Sequence, residues 1–233
     1  MQLTIRDVSQ LLNISERTIY RWIKEKTIPA YKIHDQYRFN KAELMEWAAA
    51  NKISVSPEIF HEPESLSGTV PTLSEALKDG GIYYRVEGDN KESVIKSSVE
   101  LMKLPEDVDK DFLIKVLMAR EELGSTGVGD GIAVPHVRNP IVLNVSHCLV
   151  GLSFLEKPVD FGAVDGKPVH CLFMMVSPTA RVHLYLLSRL AFALRDEAFS
   201  KAILGHDTRE SIFRELERVE SSVKSPADGA KNN

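Results

Sequence analysis

Residues 53–72, ISVSPEIFHEPESLSGTVPT, break the chain into two differently patterned parts. The stretch is rich in Ser, Pro, Glu and Gly and holds no sustained period, so it reads as a linker with limited local order. His61 inside it reads as an exposed loop residue. At roughly 100–200 residues per domain, 233 residues allow either one large core or two, and the linker favours two. The polar close from Ser221, SSVKSPADGAKNN, reads as a disordered tail. The expected division is a small unit over 1–52, a linker over 53–72, a body over 73–220 and a tail over 221–233.

Charge divides in the same way. Residues 1–52 carry nine Lys/Arg and six Asp/Glu, a net +3, so the overall −4 leaves −7 for the remainder. No apolar run approaches the roughly 20 residues of a spanning helix, and MQLTIRDVSQ lacks the basic-then-apolar order of a signal peptide. A cytoplasmic protein without a membrane partner is expected. Cys148 and Cys171 each lie in apolar runs without CxxC spacing, so buried reduced thiols are expected rather than a disulfide or metal pair.

Thr4 and Asp7 have capping-box spacing ahead of Ile5 to Leu12, where Val8, Leu11 and Leu12 share one helical face. Asn13-Ile14 makes the break. Ser15 then caps ERTIYRWIKE, which sets Ile19, Trp22 and Ile23 on one side and Arg17, Thr18, Arg21 and Lys24 on the other. After Pro29, AYKIHDQYRF alternates as two short strands around His34-Asp35-Gln36, and Asn40 with Glu43 caps a third helix, KAELMEWAAA. Helix, turn, basic helix, hairpin and helix form a winged helix-turn-helix pattern.

SERTIYRWIKEKTIPAYKIHDQYRFNKAELMEW resembles the excisionase and MerR-like DNA-binding module, over about residues 1–50. The resemblance implies DNA as a partner, with the helix over 15–26 in the major groove and the turn bearing Gln36 and Arg38 on the adjacent backbone. Ser15 and Thr18 then join the DNA-facing set. Arg17 and Arg21 suit bidentate contacts to guanine, whereas Lys24 and Arg38 suit phosphates. The plain alternative is that these charges only solvate one side of a small helical unit. A net +3 is too little to hold DNA tightly at physiological salt, so a homodimer on two half-sites or a tandem array on DNA is expected.

From Leu73 helical stretches (KESVIKSSVELM, KDFLIKVLMAREEL, TARVHLYLLSRLAFALRD, RESIFRELERVE) interleave with strand-like VSHCLVGLSF and VHCLFMMVS, which argues for a layered α/β body. Asp207 and Glu210 have capping-box spacing before the last helix. Gly127-x-Gly129-x-Gly131 follows a helix and precedes strand-like GIAVP, the reverse of a phosphate-binding loop. These glycines are expected to give a tight backbone that delivers His136 to the surface.

ARE at 119–121, STGVGDGIAVPH at 125–136, PVDFGAVDGKPVHCLFMMVSP at 158–178 and HLYLLSRLAFALRD at 183–196 resemble the mannitol/fructose enzyme IIA domain of the sugar phosphotransferase system. The nitrogen-regulatory relatives belong to the same group. The resemblance spans about residues 73–220 and implies an α/β sandwich with a mixed sheet flanked by helices. It also implies a phosphoryl group carried covalently on His136 with no other cofactor, and Arg120 and His183 as the groups that stabilise its transfer. Imidazole suits this task because it is uncharged near neutral pH yet nucleophilic. Ser125 and Thr126 are expected to donate to the phosphoryl oxygens or to form the turn. Val137 stands where many family members have glycine, and Arg138 adds a positive charge beside it.

His147 and His170 read as structural histidines in strands, and His206 as part of a helix-entry loop. No HExxH or cysteine cluster calls for a metal. Three functions stay open. The first is a DNA-binding regulator whose body is phosphorylated on His136. The second is a phosphocarrier passing the group from the histidine phosphocarrier protein HPr to a IIB-type acceptor in trans. The third is a protein-binding module without phosphotransfer.

Overall fold

The computed structural model describes residues 2–33, 36–51, 53, 70–106, 108–137, 145 and 147–222. The amino-terminal unit runs β1 (Gln2–Leu3), α1 (Ile5–Leu12), α2 (Glu16–Lys24), β2 (Tyr31–Ile33), β3 (Gln36–Asn40) and α3 (Lys41–Ala50). Thr4 and Asp7 form the expected capping box, whose backbone and hydroxyl hydrogen bonds hold the Asp7 carboxyl below its ordinary range. Asn13 ends α1 in the left-handed region, which asparagine tolerates, and Ser15 caps α2 by accepting from the Thr18 amide. The three strands pair antiparallel in the order β1-β3-β2. Val8, Leu11, Leu12, Ile19, Phe39, Leu44 and Met45 close the unit's own core. His34 and Asp35 of the expected turn lie outside the described residues, as do His61 and most of the linker.

The body opens with α4 (Leu73–Gly80), β4 (Ile82–Val86), α5 (Lys91–Leu101) and α6 (Lys110–Glu122). It continues with β5 (Gly127–Gly129), β6 (Ile132–Ala133), β7 (Leu149–Val159) and β8 (Val169–Val176), then α7 (Ala180–Ala193), α8 (Glu197–Leu204) and α9 (Arg209–Ser222). The five strands form a mixed sheet in the order β4-β7-β8-β6-β5, parallel at β4/β7 and β6/β8 and antiparallel at β7/β8 and β5/β6. α4, α7, α8 and α9 cover one face and α5 and α6 the other. A sheet buried on both faces needs continuous apolar runs, which explains LFMMV in β8.

Several local expectations give way here. α4, β4 and α8 carry too few periodic residues to stand out in the sequence. β7 begins four residues later than VSHCLVGLSF and runs on to Val159, with a register shift between Phe154 and Val159 that admits Pro158. Exposed His147 therefore precedes the strand rather than lying in it. Thr208, not Asp207, caps α9, because its hydroxyl accepts from the Ser211 amide. α9 runs to Ser222, two residues past the expected end of the body, and 223–233 lie outside the described residues. Cys148 and Cys171 are buried free thiols, and desolvation pushes them up to about 11 and about 12 respectively.

Two contacts tie remote parts together. Glu220 on α9 accepts from the amides of Leu73 and Ser74 at 2.7 and 3.2 Å, clamping the start of α4. α3 lies along α7 and reaches β5, so that Leu184 of α7 is buried in the amino-terminal core with Leu44, Met45 and Ala48.

Gly80 sits where α4 crosses β7, and a methyl group there would stand 2.3 Å from the Val150 carbonyl oxygen. Alanine is better than glycine in a helix by about 1 kcal/mol, but the obstacle is sheet backbone that cannot swing aside. Gly80→Ala is expected to lower the body's stability by about 2 kcal/mol net, read as a shift of the denaturant midpoint.

Candidate functional site

The glycine segment is a hairpin. β5 and β6 pair around Asp130-Gly131, with Gly129, Asp130 and Gly131 all in the left-handed region at φ 89°, 52° and 74°. A side chain at Gly131 would strike the His170 ring at 2.1 Å. Beyond β6 the chain stays in register with β8: the Met175 amide donates to the Pro135 carbonyl, and His136 forms a parallel bridge to Met175. This fixes the backbone of His136 against the central strand. Val137 behind it is buried in the core on the α5/α6 face, which accounts for a branched residue there; Arg138 lies outside the described residues.

Thr179 caps α7, whose first turns carry His183. The rings of His136 and His183 lie 5.1 Å apart at a tilt of 35°. Nδ1 of His136 is 2.7 Å from the Val134 carbonyl oxygen. A carbonyl only accepts, so Nδ1 carries the hydrogen and Nε2 carries the lone pair. Arg120, in the last turn of α6, donates from Nη1 to the Gly124 carbonyl at 2.9 Å. It shares the walls of one cavity with Ser125, Thr126, His136, Leu187 and Leu190. Two imidazoles and a guanidinium thus converge from three separate segments.

Comparison with known proteins places this arrangement. Residues 75–219 match the family model described as "Phosphoenolpyruvate-dependent sugar phosphotransferase system, EIIA 2". The chain belongs to that EIIA family. Residues 3–52 match a helix-turn-helix domain. The nitrogen regulatory protein of Pseudomonas aeruginosa is 36% identical over 149 residues, covering 61% of this chain and 92% of the relative. The PTS system fructose-specific EIIABC component of Bacillus subtilis is 30% identical over 144 residues, covering 60% of this chain and 22% of that protein. Among solved structures, nitrogen regulatory protein IIA-Ntr from Neisseria meningitidis superposes with a TM-score of 0.53 at 28% identity, over 62% of this chain and 98% of that one.

One expectation about the EIIA site is corrected by its geometry. His136 does not reach the surface: it is 4% exposed and His183 is 2% exposed. The pairing with β8 draws the ring inward, and α7 lies over it. Of the two uses expected of the Ser125 and Thr126 hydroxyls, their contacts fit the turn. Ser125 donates to the Phe161 carbonyl at 2.6 Å, and Thr126 donates to the Glu121 carboxylate at 2.6 Å. Their role is to hold the hairpin.

Glu121 is the residue that sequence reasoning passed over. Buried behind Arg120, it accepts from the amide and hydroxyl of Thr126 and from Nζ of Lys91 at 3.1 Å. The Thr126 carbonyl accepts from the Val134 amide at 2.9 Å, and the Val134 carbonyl faces His136 Nδ1. A continuous chain of hydrogen bonds therefore runs from α5 to the imidazole. Apolar periodicity carries no signal for it; a glutamate amid an apolar helix face was the available hint. Glu121→Ala leaves the buried Thr126 amide without its acceptor and is expected to cost about 3 kcal/mol, whereas Glu121→Gln, which keeps an acceptor oxygen, costs less. Urea unfolding of both variants checks the order.

On the helix-turn-helix domain, Arg17, Arg21 and Lys24 are exposed along α2, with Ser15 and Thr18 linked hydroxyl to hydroxyl at 3.0 Å. Arg38 donates to the Gln36 side chain and the Tyr37 carbonyl on β3. Tyr20, 52% exposed on the same helix and edge-on to Tyr37, was not anticipated as part of this surface. Among the described residues, no three His, Cys, Asp or Glu side chains are grouped to hold a metal, and no helix is long and apolar enough to cross a membrane.

Proposed function

We propose that this chain is a DNA-binding regulator whose EIIA domain accepts a phosphoryl group on Nε2 of His136 and so couples phosphotransferase state to gene expression. The observation that carries the reading is the His136–His183 pair, in which His136 has its tautomer set by the Val134 carbonyl and lines a cavity with Arg120. In the transfer, the Nε2 lone pair attacks phosphorus as the donor's P–N bond breaks, and the donor imidazole leaves with that electron pair. The acceptor ring becomes an N-phosphorylated imidazolium, and its Nδ1–H stays on the Val134 carbonyl. Arg120 and His183 offset charge on the equatorial oxygens, where positioning and electrostatics supply nearly all the catalysis. The first turn of α7 adds the positive end of its dipole on the same side.

Phosphorylation brings about two negative charges to a domain that is already acidic. On DNA, Arg17 and Arg21 read bases while Lys24 and Arg38 hold phosphates, and a homodimer doubles the electrostatic hold. The test is incubation with phosphoenolpyruvate, enzyme I and HPr, followed by gel-shift titration of both forms on promoter and random genomic fragments. An acid-labile, base-stable phosphate and a changed DNA affinity are expected. A chain that takes up phosphate but binds no DNA at low salt is a carrier instead, and one that takes up none is a binding module.

A further inference from the structure

We propose that α3 of the helix-turn-helix domain is a displaceable cover over the phosphoryl-acceptor site, holding the face on which a phosphohistidine-bearing donor protein must dock. The proposal rests on the acceptor reading of His136 and goes beyond it, because it says how the two domains exclude one another.

Transfer between two imidazoles needs the incoming phosphorus within about 3–3.5 Å of Nε2, with the donor nitrogen in line behind it. His136 and His183 are 4% and 2% exposed. The cavity that His136 lines with Arg120 measures about 30 Å³, room for a water or two but not for a phosphoryl group with a second ring behind it. As it stands, the site is closed to a protein donor.

The position of α3 identifies the element that must move. It lies along α7 and against β5, the two elements that flank the histidine pair. Leu184, next in the chain after His183, is buried with Leu44, Met45 and Ala48 of the helix-turn-helix core. α7 is thereby buried on two sides: Val182, Leu186 and Leu190 face the sheet, while Leu184 faces α3. The other coverings of His136 cannot leave without unfolding the domain: β6 and β8 lie inside the sheet, and α7 is packed on it through Val182, Leu186 and Leu190. The helix-turn-helix domain has a core of its own and can leave as a body.

Donor docking and α3 docking then compete for one face. The donor's apparent affinity is its intrinsic affinity reduced by the fraction of molecules in which α3 is away. Linkage makes the effect reciprocal, so a bound donor, or a phosphoryl group that disfavours the return of α3, releases the DNA-binding domain to the same extent.

The test uses the full-length chain and Leu184→Glu, which places a charge in the α3 contact and leaves His136, His183 and Arg120 intact. Diethyl pyrocarbonate modification of His136, followed by peptide mass, reads opening without any phosphotransfer. Exposed His147 and His206 are internal references for an intact fold. Modification of His136 is expected to accelerate at least tenfold relative to them, and phosphate uptake from HPr to rise with it. Leu184→Ala, expected to give about a threefold increase, supplies the answer if the glutamate variant fails to fold. An unchanged His136 rate in folded variants overturns the cover. A His136 that opens in the variant yet takes no phosphate leaves the cover standing and removes the acceptor reading.

Discussion

His136→Ala is expected to end phosphate uptake from phosphoenolpyruvate, enzyme I and HPr, a loss of at least about 10³-fold, since positioning alone is worth up to about 10⁵ in effective molarity. The substitution removes the proposed nucleophile, whose Nδ1 is tied to a backbone carbonyl and whose Nε2 is thereby fixed as the lone-pair nitrogen. His183 cannot replace it, because its backbone lies in the first turns of α7 rather than on the strand continuation that sets His136 against Met175. Phosphopeptide mapping of the wild-type chain and quantitation of acid-labile phosphate in the variant check the result. Uptake at near wild-type level in the variant would move the reaction to another side chain.

Arg120→Ala is expected to slow phosphate uptake by about 10²–10³-fold, the usual cost of deleting one preorganised donor to a developing charge, while the fold persists because the side chain is only half-buried. Arg120→Lys restores little of the rate. Lysine keeps the charge but loses the planar fork, one nitrogen of which donates to the Gly124 carbonyl beside the cavity. Initial rates at saturating donor, paired with urea unfolding, separate a catalytic loss from a structural one.

How much of this the sequence discloses depends on the range of the physics involved. The caps of α1 and α2, the split of α2 into a core side and a charged side, and the runs of α5, α6, α7 and β8 are local patterns and are legible residue by residue. The identities of His136, His183 and Arg120 as a set are legible only through resemblance, since their convergence depends on strand order and on the packing of α7. What escapes is set by partners far along the chain. The Ser125 and Thr126 hydroxyls are claimed by Phe161 and Glu121, and no periodicity announces a carbonyl 36 residues away. The burial of His136 is likewise a tertiary fact, because a histidine after a short strand reads the same whether the next layer is water or a helix.

The Glu220 clamp on the start of α4 bears on how the molecule is made. Its two halves are 147 and 146 residues apart, so as the polypeptide leaves the ribosome the first element of the EIIA domain waits for the last to be synthesised. The helix-turn-helix domain needs no such wait, its apolar core among the described residues being complete within the first 53 apart from Leu184. Each newly made chain therefore has a finished helix-turn-helix domain before it has a finished EIIA domain, and the slow, long-range closure of the EIIA domain sets the moment at which the two can first act on one another.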